Sequence, residues 1–109
     1  LENRLEVLLA HLIKWCVQPE HRSTSWTGTI KAQRRKASRL LAQNPGLKSL
    51  LAQLIADAYE TAMALAERDT GIDESAFSPT CPWTTEQLLD EHFWPEKERQ
   101  PDDGGVTGS

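Results

Sequence analysis

The stretch HLIKWCVQPEHRSTSW, residues 11–26, holds the densest set of side chains in this chain that could do chemistry. His11, Trp15 and Gln18 stand at i, i+4 and i+7, so on a helix they form one column, with Lys14 beside it. Pro19 then breaks the chain, and Arg22 and Trp26 follow. A chain that doubles back here would bring His11, Lys14, Gln18, Arg22 and Trp26 to one pocket rim, with several donors, few acids and aromatic walls. That is the chemistry of a small-molecule or anion site, and with a nucleophile in reach, of a catalytic one. The competing reading is structural. The column lies at the border of the apolar face, where His11 and Trp15 can close the core and keep their polar tips outward. Ser23, Thr24 and Ser25 are near His11 in sequence only, and their first use is helix capping. No residue is therefore assigned a catalytic role. His11, His21, His92, Cys16 and Cys81 show neither H-x-x-x-H nor C-x-x-C spacing, so neither a metal site nor any cofactor is expected.

A second constellation is KAQRRKASR. On a helical wheel Lys31, Arg34, Arg35, Lys36 and Arg39 occupy the outer face around a narrow apolar stripe. A solvated face is the favoured reading of this basic surface, a protein partner comes second, and phosphate backbone comes third, because no aromatic residue interleaves the cations. Between Lys14 and Lys48 eight cations face Glu20 alone, whereas acids dominate from Asp57 to Glu98. Complementarity between the two halves explains that asymmetry as simply as a partner does. Near the C-terminal end, Trp83, Phe93 and Trp94 either pin an arm to the body of the fold or form an anchor patch for another chain.

The elements that must position these residues are helices. The first is expected over residues 1–18, with Leu1, Leu5, Leu8, Leu12 and Cys16 on one broad face and Leu9 at its edge, stopped by Pro19. The second is expected over 25–43, capped by Ser23 or Thr24, with Trp26, Ile30, Ala37, Leu40 and Leu41 as its stripe. The third, over 47–69, carries apolar residues around about half its circumference, which suggests a central helix with two neighbours, ended by Gly71. Trp83, Thr84, Gln87 and Leu88 are spaced as a capping box with a hydrophobic staple, opening a short helix over 85–92. No strand-period segment appears. The expected fold class is all-α, a small helical bundle of three main helices plus a short C-terminal helix and arm.

One domain is expected over residues 1–95, and the polar, Gly- and Asp-rich stretch 96–109 reads as a disordered tail. The chain opens inside a helical pattern with no cap before it, which suggests that an N-terminal part of the domain is missing. The net charge of −4 argues against a general nucleic-acid binder, and no apolar run is long enough to span a membrane. Two cysteines far apart, Cys16 and Cys81, fit a reduced cytoplasmic protein better than a disulfide scaffold, and a single bridge between them stays open.

HLIKW, then QPEHRSTSW, then IKAQRR, a long Ala-Leu helix with AYETA, and TCPWTTEQLLDEHFWP together resemble the bacterial domain-of-unknown-function family twenty-nine, found in cyanobacteria and proteobacteria. The resemblance covers residues 1–95 and rests on the combined order of these motifs. The residues that match are His11, Lys14, Trp15, Gln18, Arg22, Ser25, Trp26, Arg34, Tyr59, Cys81 and Pro82. It implies an α-helical fold, a soluble bacterial protein and a domain that begins some tens of residues earlier, but no reaction. The leading expectation is a non-enzymatic interaction module that binds a protein partner or itself. Next comes the small-molecule or anion site at the His11–Trp26 stretch, and a nucleic-acid accessory role using the second helix stands third.

Overall fold

The computed structural model describes residues 1–95. Helix α1 spans Glu2–Val17, α2 Thr24–Gln43, α3 Leu51–Thr70 and α4 Thr85–Leu89, with 3-10 turns at Pro19–His21, Pro45–Leu50 and Glu74–Ala76. No strand occurs among the described residues, and the architecture is the expected small all-α bundle. The expected tail, residues 96–109, lies outside the described residues.

The central helix is α1, not α3. It packs against both α2 and α3, while α2 and α3 do not touch each other among the described residues. Its buried set accordingly runs wider than one stripe: Leu5, Leu8, Leu9, Ala10, Leu12 and Ile13, with the stem of Lys14. Two neighbours on two sides cover more of a helix than one neighbour does. The short α4 sits across α2 and α3, with Leu88 fully buried. Tyr59, Ala58, Ala62 and Ala66 carry the inner face of α3, and small residues there let α3 lie close to α1.

The third helix begins later than expected. Asn44-Pro45-Gly46 leads into a 3-10 turn through Leu50, so Leu47 only flanks the core and Leu50 is 55% exposed. At the other end Gly71 takes φ 76°, the left-handed value that side chains disfavour, and its N–H reaches the Glu67 carbonyl at 2.8 Å. The Thr84 capping box forms: the Gln87 N–H donates to Thr84 Oγ1 at 3.1 Å and the Thr84 N–H donates to Gln87 Oε1 at 2.9 Å. Helix α4 stops at Leu89 rather than at His92. The reason lies in Arg34, described below.

Candidate functional site

At the first corner, Gln18 leaves helical geometry (φ −133°, ψ 64°) as the residue before Pro19 must, and the Ser23 hydroxyl accepts the Trp26 N–H at 3.2 Å to start α2. This fold-back brings His11 and Lys14 to Trp26 and Arg22 to Trp15, and engages several of their polar atoms in contacts within the fold. His11 Nδ1 donates to the Val7 carbonyl at 2.9 Å, and its ring meets Trp26 edge to face at 6.4 Å. Burial holds the imidazole below its usual pKa, helped by Lys14 and opposed by the Val7 carbonyl and Asp69. Lys14 Nζ lies 3.1 Å from Asp69 Oδ2 and 5.4 Å from the centre of a Trp26 ring. Burial pushes the Asp69 carboxyl up, but hydrogen bonds from Arg68 and Lys14 outweigh it and hold the carboxyl below its usual range. Arg22 directs Nε and Nη2 at the Trp15 carbonyl, at 2.9 and 2.6 Å, with its guanidinium 4.7 Å from the Trp15 ring centre. The Trp15 carbonyl is one of the last four of α1 and has no partner within the helix, so Arg22 acts as a cap. Gln18 supplies backbone here, its carbonyl accepting from the His21 N–H at 2.9 Å. The corner is thus a knot of helix ends, and His11, Lys14, Gln18, Arg22 and Trp26 do not line the cavities described below, whereas Trp15 lines one of them.

The basic face divides in two. Lys31, Arg35, Lys36 and Arg39 are exposed, as expected. Arg34 is not: it is fully buried. Its Nε donates to the Leu88 carbonyl at 2.8 Å, Nη1 to Phe93 at 2.8 Å and Nη2 to Gln87 at 3.3 Å, and its guanidinium stands 5.5 Å from a Trp94 ring centre. The wheel position carries the reason. Ile30, Arg34, Ala37 and Leu41 follow one another at steps of four, three and four, so Arg34 shares the buried face of α2. That signal was present in the sequence and was masked by the four cations around it. By binding the Gln87 and Leu88 carbonyls, Arg34 occupies the acceptors that a longer α4 would need for its next turn. Burial pushes the guanidinium's pKa down, with Asp90 and Glu91 opposing, yet arginine stays charged.

The aromatic end is the pinned arm rather than an open patch. Trp94 packs on Trp15 with ring centres 4.7 Å apart, Phe93 lies under Arg34, and Pro95 is buried.

Two concave surfaces lie around Tyr59 and Trp83. A groove of about 290 Å³ is lined by Ile13, Cys16, Val17, Phe77, Trp83 and Pro95 among others, with no charged side chain. A neighbouring hollow of about 370 Å³ shares Tyr59 and Trp83 and includes Ile55, Cys81 and Glu60. Tyr59 is the post between them. Its hydroxyl donates to the Ser78 carbonyl at 2.9 Å, and burial, with the Cys81 and Cys16 thiols nearby, pushes its pKa up to about 12. Cys16 and Cys81 do not form the bridge left open above. Burial raises the Cys81 thiol, whose Sγ donates to the Trp83 carbonyl at 3.5 Å, so it is the reverse of an activated nucleophile. Among the described residues no three His, Cys, Asp or Glu side chains cluster as a metal site would require, and no helix is long and apolar enough to cross a membrane. Sequence reasoning missed the groove. It is assembled from α1, α3 and the connection before α4, and its only local trace was the TCPW run with its half-buried tryptophan.

The family described as "Domain of unknown function DUF29" matches residues 1–94. The chain belongs to this family. No curated protein and no solved structure matches it. The residues that carried the resemblance find physical roles in the DUF29 fold. Trp15 and Arg22 tie the first corner, Arg34 caps α4, and Tyr59 fixes the 72–84 connection to α3. Tyr59, Cys81 and Pro82 also line the hollows around Trp83.

Proposed function

We propose that this domain is a non-enzymatic protein-interaction module. It receives an apolar side chain of a partner in the groove at Trp83. The observation that supports this is the groove itself, concave, about 290 Å³ and without a charge in its lining. A hollow of that kind gains most from an aromatic or aliphatic anchor, and such anchors carry most of the energy of small interfaces. Its surroundings are acidic. Glu60 lines the adjoining hollow, and Glu74 and Glu86 stand exposed next to the lining, while neither hollow contains a lysine or arginine. The complementary occupant is therefore a partner segment with one bulky apolar residue between basic flanks. The absence of a disulfide between Cys16 and Cys81 fits a reducing compartment such as the cytoplasm.

The test is selection of random displayed peptides on the immobilised full chain, with Ala76→Arg as the control. Ala76 is exposed and lines the groove, so an arginine there obstructs it without disturbing the core. Enriched peptides should carry a Trp, Phe or Leu flanked by Lys or Arg and should lose binding to Ala76→Arg. Failure to enrich any peptide, or enrichment that Ala76→Arg leaves intact, refutes the reading. A dimer in sedimentation that Ala76→Arg dissolves would reassign the groove to a second copy of the chain.

A further inference from the structure

A second hollow, of about 610 Å³, lies between α2 and the turn after α4, and it shares no residue with the groove at Trp83. Thr27, Lys31 and Arg35 follow one another at four-residue steps, so all three line it from one column of α2. From the other side come Glu91, His92 and Trp94. In a chain of net charge −4, this hollow has two cations from α2 in its lining.

The charges within the hollow do not balance. Glu91 is its one acid, and it is engaged by Arg35, whose Nε and Nη2 both point at the same oxygen, Oε1, at 3.4 and 3.2 Å. Both partners are exposed (60% and 43%), so the pair is weak and exchangeable. Lys31 has no ion pair among the described residues. The Thr27 hydroxyl donates to the Ser23 carbonyl at 3.2 Å, which leaves binding of an anion to Lys31, Arg35 and the ring of His92. A guanidinium, an ammonium and an imidazole around one hollow suit an oxyanion with several oxygens and two charges. Such an ion can take the fork of Arg35 in two parallel bonds, which a single carboxylate oxygen does not do. Trp94 gives the same hollow an apolar wall.

We propose that this hollow binds a small phosphate monoester, its phosphate held by Lys31, Arg35 and His92 and its organic part lying against Trp94. Glu91 acts as the gate. It occupies Arg35 in the free protein and yields it to a doubly charged phosphate, while a singly charged carboxylate ligand gains too little to displace it. The site is independent of the partner groove: Ala76→Arg should leave it unchanged.

The experiment is a titration of the isotope-labelled full chain with inorganic phosphate, phenyl phosphate and benzoate, followed by amide chemical shifts at fixed ionic strength. Phenyl phosphate should shift the amides of residues 27–35 and 90–94 saturably and bind more tightly than inorganic phosphate, with benzoate weaker than either. Lys31→Ala removes one charge-assisted bond and should weaken phenyl phosphate about tenfold. Glu91→Gln removes the competing charge and should tighten it about three- to fivefold. Lys31, Arg35 and Glu91 are exposed, so these variants keep the fold. Shifts that spread over every basic residue without saturating would mean counter-ion attraction only and would overturn the proposal. So would a Glu91→Gln protein with unchanged affinity, or equal binding of phenyl phosphate and benzoate.

Discussion

Replacing Arg34 is the sharpest test of how this fold is held. Arg34→Met keeps the length and bulk of the side chain and removes its donors. Three carbonyls then lose their partner: Leu88 at 2.8 Å in a buried bond, and Phe93 at 2.8 Å and Gln87 at 3.3 Å in partly buried ones. A hydrogen bond from a charged donor contributes about 1.5–3 kcal/mol, and an abandoned buried acceptor costs about 1–3 kcal/mol. Water can reach two of the three carbonyls and recover part of the loss, so the expected destabilisation is about 3–5 kcal/mol. One effect opposes it, because methionine spares the cost of burying a guanidinium, and buried ion pairs are often replaceable by apolar residues. Here the partners are backbone carbonyls that no substitution removes, so the loss should win. With a slope of about 1–1.5 kcal/mol per molar urea, the midpoint of unfolding by circular dichroism should fall by about 2–5 M. Arg34→Lys, with one ammonium for three acceptors, should fall between. The amides of Asp90 and Phe93 should exchange with solvent faster in both variants, because they bond to carbonyls in the segment that Arg34 pins. An Arg34→Met protein as stable as the parent in urea would refute the argument.

Acidification should destabilise the fold in two steps. Burial holds His11 below its ordinary 6.5, so its contribution is present above that value and is lost as pH falls through the lower folded one; His11→Gln should flatten this step in a pH series of urea midpoints. Asp69 is held below its ordinary 3.8, so its contribution also exists above the ordinary value and is lost further into acid, and Asp69→Asn should remove that second step. Tyr59→Phe deletes the bond to Ser78 and should cost about 1 kcal/mol in chemical denaturation, while the phenol of the parent protein should ionise only at about pH 12 in an ultraviolet titration. Cys81 should react with iodoacetamide at neutral pH more slowly than an unfolded thiol, and a fast reaction would contradict its burial. Gly71→Ala should cost about 1 kcal/mol, since φ 76° is a conformation that alanine resists.

The helices were legible because each rests on local signals. The Pro19 break, the Thr84–Gln87 box and the Gly71 terminus are all choices made within a few residues. What depended on packing between distant segments was not legible. The wide stripe of α3 suggested the central helix, but α1 took that place because its leucines are buried on two sides. Arg34 was grouped with Arg35 and Lys36 although it follows Ile30 at a four-residue step, and its use became visible only with its carbonyl partners, more than fifty residues away. The same limit applies to the candidate site. The His11–Trp26 residues do come together, yet each finds its partner in a helix end, an aromatic ring or Asp69. The groove at Trp83 draws its walls from segments far apart in the chain and left almost no mark on any one of them.

Among the described residues α2 and α3 do not pack directly on each other, and α1, α4 and the 3-10 turn at Pro45–Leu50 join the two flanks of the bundle. Gln87, in the middle of the short α4, lines the groove at Trp83, and Glu91, just past its C-terminal end, lines the hollow beside Trp94. Arg34 grips the carbonyls between them. Free energy that an occupant of one flank transmits through α4 crosses that grip, and by thermodynamic reciprocity an occupant of the other flank returns the same amount to the first.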